Sequence, residues 1–136
     1  MVKITAVYQG DLHCLLTHGP SGSTLQTDAP KDNMGKGEAF SPTDLSAASL
    51  LTCVLTTMAI YAQKHHIELK GAQGEILKEM STDTPRRISK LAIHIQMPKG
   101  IKPEDRSTLE RVGTHCPVHQ TLRPDLQIST TFSYPD

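Results

Sequence analysis

The sequence has no tryptophan, three tyrosines and two phenylalanines in 136 residues. So few rings exclude a stacking platform for single-stranded nucleic acid. It also lacks any excess of charge, since 14 Lys and Arg offset 14 Asp and Glu. A chain with no net charge exerts no long-range pull on nucleic acid or an anionic membrane surface, so neither is expected as a partner. Residues Met1 to Gly10 alternate apolar with polar and contain no continuous apolar run or small-residue cleavage site, which argues against a secretory signal. The most apolar stretch, Leu45 to Ala62, is interrupted by Ser46, Ser49, Thr52, Thr56 and Thr57 and reads as a buried helix, not a membrane span. Cysteine is scarce as well: Cys14, Cys53 and Cys116 only. An odd, low number fits a reducing cytoplasm, where a disulfide is more often catalytic or regulatory than a permanent staple.

What is present reads as one domain over residues 1–136, because the length admits one hydrophobic core. Val2, Ile4, Ala6 and Tyr8 alternate, then a turn at Gly10-Asp11, then Leu12, Cys14 and Leu16 alternate again. A short strand over Ser23 to Gln26 follows the turn Gly19 to Gly22. Asp28 to Phe40, rich in Gly, Pro, Asp and Lys, is expected to be a loop, and a loop of that length tends to be functional.

Ser41-Pro42-Thr43-Asp44 predicts a helix start, with Ser41 as cap, Pro42 in the first turn and Asp44 completing a reciprocal capping box. The helix is expected to reach Lys64 or His65. Leu45, Ala48, Leu51, Leu55, Met58 and Ala62 form its predicted core stripe, and Ala47, Leu50, Val54 and Tyr61 make it apolar nearly all round. Strands are expected over Ile67 to Met80, Ile88 to Met97 and Leu126 to Tyr134. A second helix is expected from Pro103 to near Gly113, and a helical turn from Cys116-Pro117. The order βββ–α–ββ–α–β is that of an α+β fold with an antiparallel sheet around a long central helix.

The chemistry-bearing candidates are two of the cysteines. Cys53 lies mid-helix with Ser49, Thr56 and Thr57 one turn away, and hydroxyls so placed can hydrogen-bond a thiolate. From periodicity alone the plainer reading wins: such hydroxyls bond back to their own carbonyls and leave Cys53 as a small hydrophobe. Cys116 precedes Pro117 in His115-Cys116-Pro117-Val118-His119, where the start of a helical turn and flanking histidines favour thiolate; the alternative is a plain capping residue. The cluster of His115, Cys116 and His119, with His13-Cys14 elsewhere, raises zinc. No specific ligand spacing is present, so no metal is expected. Cys14 shares a strand face with Leu12 and Leu16 and is expected in the core.

Taken in order, several segments resemble the OsmC/Ohr family. They are Ser41-Pro42-Thr43-Asp44-Leu45 leading to Leu51-Thr52-Cys53, Pro85-Arg86-Arg87-Ile88 leading to Met97-Pro98-Lys99-Gly100, and Cys116-Pro117-Val118-His119. The resemblance spans essentially the whole chain. It implies an OsmC-like, intertwined homodimer in the cytoplasm that reduces organic hydroperoxides without a cofactor. Cys53 would be peroxidatic and Cys116 would resolve it as a Cys53–Cys116 disulfide. A dithiol, from a lipoylated protein or a thioredoxin-like partner, would restore the thiols. The alternative within the resemblance is a non-enzymatic dimer that binds a small ligand or senses thiol redox state.

One departure stands out. Well-studied peroxidases of this family hold the thiolate with an Arg from the N-terminal region, paired to a Glu near the central helix start. Here no Arg precedes Arg86. Lys31 and Lys36 in the loop, with Glu38 and Asp44, are the nearest supporting candidates, and a Lys lacks the planar fork of a guanidinium. Asp44 is better read as a capping acid. Arg86 and Arg87 substitute only if the fold carries them across; such a pair more often lies on a solvated strand edge.

Overall fold

The alternation at the start of the chain builds three short antiparallel strands in the order β1-β2-β3: β1 (Ile4–Tyr8), β2 (His13–His18) and β3 (Thr24–Asp28). The computed structural model describes residues 1–135. They fall into two compact units, Met1–Ser46 and a second beginning at Ala47.

In the first unit the loop after β3 is better ordered than its composition implies. Asp28 is buried, and its carboxylate bonds the His13 ring and accepts from the Glu38 N–H at 2.9 Å. Its own N–H donates to the Phe40 carbonyl at 3.1 Å, and Thr27 bridges Phe40. The His13 bond, working against a burial penalty and helped by the Glu38 N–H, holds the Asp28 carboxyl below the usual carboxylate range. Cys14, expected in the core, is only half-buried opposite Tyr8 and Thr27. No apolar residue of this unit is buried among the described residues.

Helix α1 (Pro42–Lys64) begins as the sequence predicts. The Asp44 N–H donates to Ser41 Oγ at 3.0 Å, and the Ser41 N–H donates to Asp44 Oδ2 at 2.9 Å. Asp44 is therefore a capping acid. By length and composition alone α1 would cross a membrane; instead Ala47, Leu50, Val54, Met58 and Ala62 are buried in the core of the second unit. The predicted stripe was displaced: Leu45, Ala48, Leu51 and Leu55 are only half-buried. A helix apolar on nearly every side gives periodicity little to choose between faces.

The core is completed by a second three-stranded sheet, in order β4-β5-β6: β4 (Gln73–Met80), β5 (Ile88–Gln96) and β6 (Gln127–Ser133). Leu91, Ile93 and Ile95 of β5 face inward at 2% exposure or less. Burying each contributes about 1.5–3 kcal/mol. Gly74 lets α1 lie close, since a Cβ there would meet Leu51 Cδ1 at 2.8 Å and Ile95 Cδ1 at 3.0 Å. Two expectations are revised. Ile67 to Ala72 forms a turn, closed by the Ala72 N–H on the Leu69 carbonyl, and not a strand. And β5 and β6 pair in parallel, because helices α2 (Pro103–Thr114) and α3 (Pro117–Thr121) intervene and a connection of that length can return the chain to the same end of the sheet.

Candidate functional site

Cys53 and Cys116 meet inside the second unit. Cys53 stands on α1 one residue before Val54 and is half-buried, whereas Cys116 is fully buried. Cys116 caps α3: its extended backbone precedes Pro117, and its sulfur accepts from the His119 N–H at 3.5 Å. This is the local structure that Cys-Pro dictates, because proline suits the first turn and the residue before it is pushed out of helical geometry.

The two sulfurs share a side-chain hydrogen bond, yet their acidities move in opposite directions. For Cys53 burial opposes ionisation. The Val118 N–H, the Cys116 thiol and the Thr57 hydroxyl, at 3.9 Å, outweigh it and bring the thiol below its ordinary value. For Cys116 burial dominates over the His119 N–H, and the neighbouring Cys53 adds to the rise, so its thiol lies above the ordinary value. Of the two readings the sequence leaves open for Cys116, the structure favours the capping residue over the thiolate, because desolvation opposes ionisation there. The same α3 backbone that was expected to acidify Cys116 donates from Val118 to Cys53.

Of the hydroxyls expected around Cys53, Thr57 bonds the sulfur. Ser49 and Thr56 are exposed; Thr52, which was not among those expected, bonds back to the Ala48 and Ser49 carbonyls. His115 donates from Nδ1 to the Arg111 carbonyl at 2.7 Å. No group of three or more His, Cys, Asp and Glu able to hold a metal occurs among the described residues.

The remaining candidates have their own local partners. Lys31 opens a single 3-10 turn, Lys31–Asn33, and is exposed. Lys36 Nζ lies 4.0 Å from Asp11 Oδ2 on the surface, and Glu38 is tied through its N–H to Asp28. Arg87 forks onto Asp83 in the turn before β5, at 2.7 and 3.3 Å. Sequence reasoning missed Val118 and the His13–Asp28 pair, because a backbone donor and a cross-strand contact leave no mark in residue type.

The fold and this site together define an α+β protein with a paired-thiol centre. The sequence model of the family described as OsmC-like protein matches residues 35–131, and the chain belongs to that family. No curated protein matches. Among solved structures, a Psychrobacter arcticus protein, provisionally described as an osmotic stress induced and detoxification response protein, is 38% identical. It has a TM-score of 0.92, covering 98% of this chain and 96% of that one. The organic hydroperoxide resistance protein OsmC from Legionella pneumophila is 16% identical with a TM-score of 0.78, again over 98% and 96%. An organic hydroperoxide resistance protein from Elizabethkingia anophelis, with thiocyanate bound, has the same identity, TM-score and coverage. At that identity the last two bear on the fold alone.

Proposed function

We propose that this protein is a thiol-dependent peroxidase that reduces organic hydroperoxides in the cytoplasm as a homodimer. The observation that carries the reading is the contact between two thiols of unequal acidity and access. The half-buried, acidified Cys53 suits the attacker, and the buried, neutral Cys116 suits the resolver. Family membership and the organic hydroperoxide resistance proteins among its structural relatives support a role in peroxide resistance or thiol redox chemistry.

In the proposed cycle the Cys53 thiolate attacks one oxygen of the O–O bond, the bond breaks, and the other oxygen leaves as alkoxide and takes up a proton. Cys53 is then a sulfenic acid. The Cys116 thiol displaces its hydroxyl, releasing water and closing a disulfide. An external dithiol, of the lipoyl or thioredoxin kind, restores both thiols by exchange. Charge support from Lys31 or Lys36 belongs to the same proposal.

Intact-mass analysis after one equivalent of cumene hydroperoxide tests it. A loss of two hydrogens, abolished by prior thiol blocking and reversed by dihydrolipoamide with continued peroxide consumption, is the expected result. Disulfide formation without catalytic turnover under any dithiol would instead leave a redox sensor or ligand-binding dimer.

A further inference from the structure

We propose that Gly113 is a positioning residue that sets the approach of Cys116 to Cys53; this rests on the peroxidase reading above. Glycine is a poor choice one residue before the end of α2, and its backbone there is not in the left-handed region that favours it. The reason is space. A Cβ at this position would lie 2.7 Å from Met58 Cγ, 2.8 Å from Met58 Sδ and 3.2 Å from Val54 Cγ1. Met58 and Val54 are themselves at 0% and 1% exposure, so neither has solvent to yield into.

The place of this contact matters. On α1, Val54 directly follows Cys53 and Met58 directly follows Thr57, the residue that bonds the Cys53 sulfur. On the other side, Leu109 and Gly113 of α2 are buried, and Cys116, the residue after the His115 C-cap, is buried too. The close approach of α2 to α1 therefore falls one residue from one thiol and three residues from the other. A methyl group at 113 must displace Met58 or lift the end of α2, and Cys116 travels with that end. Attack of Cys53 on peroxide feels this movement only through the donors from Val118 and Cys116, whereas closure of the disulfide needs the two sulfurs to reach bonding distance.

The test compares full-length wild type, G113A, V54I and G113A/M58A after one equivalent of cumene hydroperoxide. Dimedone labelling reads Cys53 sulfenic acid, and loss of both thiols reads closure. In G113A, closure should slow about tenfold or more beyond any slowing of sulfenic acid formation. A displacement near 1 Å can cost up to about a hundredfold in such a step. G113A/M58A, which vacates the space, should recover most of the closure rate. V54I retains the glycine and crowds the same contact from α1, and should slow closure more than sulfenic acid formation; it decides the matter if G113A does not fold. Closure at the wild-type rate in a folded G113A or V54I, or equal slowing of both steps, overturns the proposal. Failure of the unmutated protein to form the disulfide overturns the reading of the cysteine pair, and Gly113's role with it.

Discussion

At the scale of single residues, the difference between Cys53 and Cys116 is one of donors against burial. Cys53 keeps enough neighbours with N–H, S–H and O–H groups to outweigh its desolvation, and Cys116 does not. A lowered pKa means a larger thiolate fraction at neutral pH. Alkylation of Cys53 by iodoacetamide, followed in a Cys14→Ser background, should reach half its maximal rate below the pH of an ordinary thiol. Thr57→Val should move that half-point upward, because it removes a hydrogen bond that favours the thiolate. An unmoved half-point would remove Thr57 from the site. The same titration on Lys31→Met and Lys36→Met finds which lysine, if either, lends charge, since its loss raises the value. Cys53→Ser should abolish peroxide consumption. Cys116→Ser should permit one turnover and then accumulate sulfinic acid at Cys53, read by mass. Full activity in Cys53→Ser would reverse the assignment.

At the scale of elements, legibility followed the range of the forces involved. The start of α1 was readable because a capping box is closed between Ser41 and Asp44 alone. Its buried face was not, because that depends on tertiary packing: Val54 and Met58 lie against Gly113 of α2, while Leu51 and Leu55 lie by Gly74 of β4 and stay half-buried. Strand β6 showed its alternation in the sequence, but the direction in which it pairs with β5 is set by what α2 and α3 do between them. Cys-Pro marked the α3 cap, whereas the meeting of Cys116 with Cys53 came only through family resemblance and was then found in the structure. Two stability predictions belong here. Ser41→Ala removes the buried cap oxygen and should lower unfolding stability by about 1–2 kcal/mol in a denaturant titration. Leu109→Ala empties a fully buried position on α2 and should cost about 2–5 kcal/mol. A loss under about 0.5 kcal/mol in either would mean that local relaxation fills what the structure shows as fixed.

At the scale of the molecule, the N-terminal unit poses a problem that the chain does not solve alone. Its buried residues are Thr27, Asp28 and Ser41, all polar, while Val2, Ile4, Val7 and Tyr8 are each above 60% exposed and Phe40 is at 56%. Covering the same five on both copies, ten side chains about three-fifths exposed, contributes roughly 9–18 kcal/mol. Association costs about 4–15 kcal/mol, so this surface is on the scale that a stable pairing needs. Leu12 at 44%, Leu25 at 47%, Ile60 at 52% and Leu77 at 65% are available to add to it. A second copy of this chain is the proposed cover, in keeping with the intertwined dimer that the family resemblance implies. Light scattering at micromolar concentration should give twice the chain mass. Val7→Asp, which places a charge among the exposed apolar residues of β1, should shift the population to monomer and lower the unfolding midpoint in a concentration-dependent way. The wild-type midpoint should rise with protein concentration for the same reason. A wild-type monomer that melts cooperatively, at a midpoint independent of concentration, would show that the exposed sheet is stable without a partner and would sink the dimer.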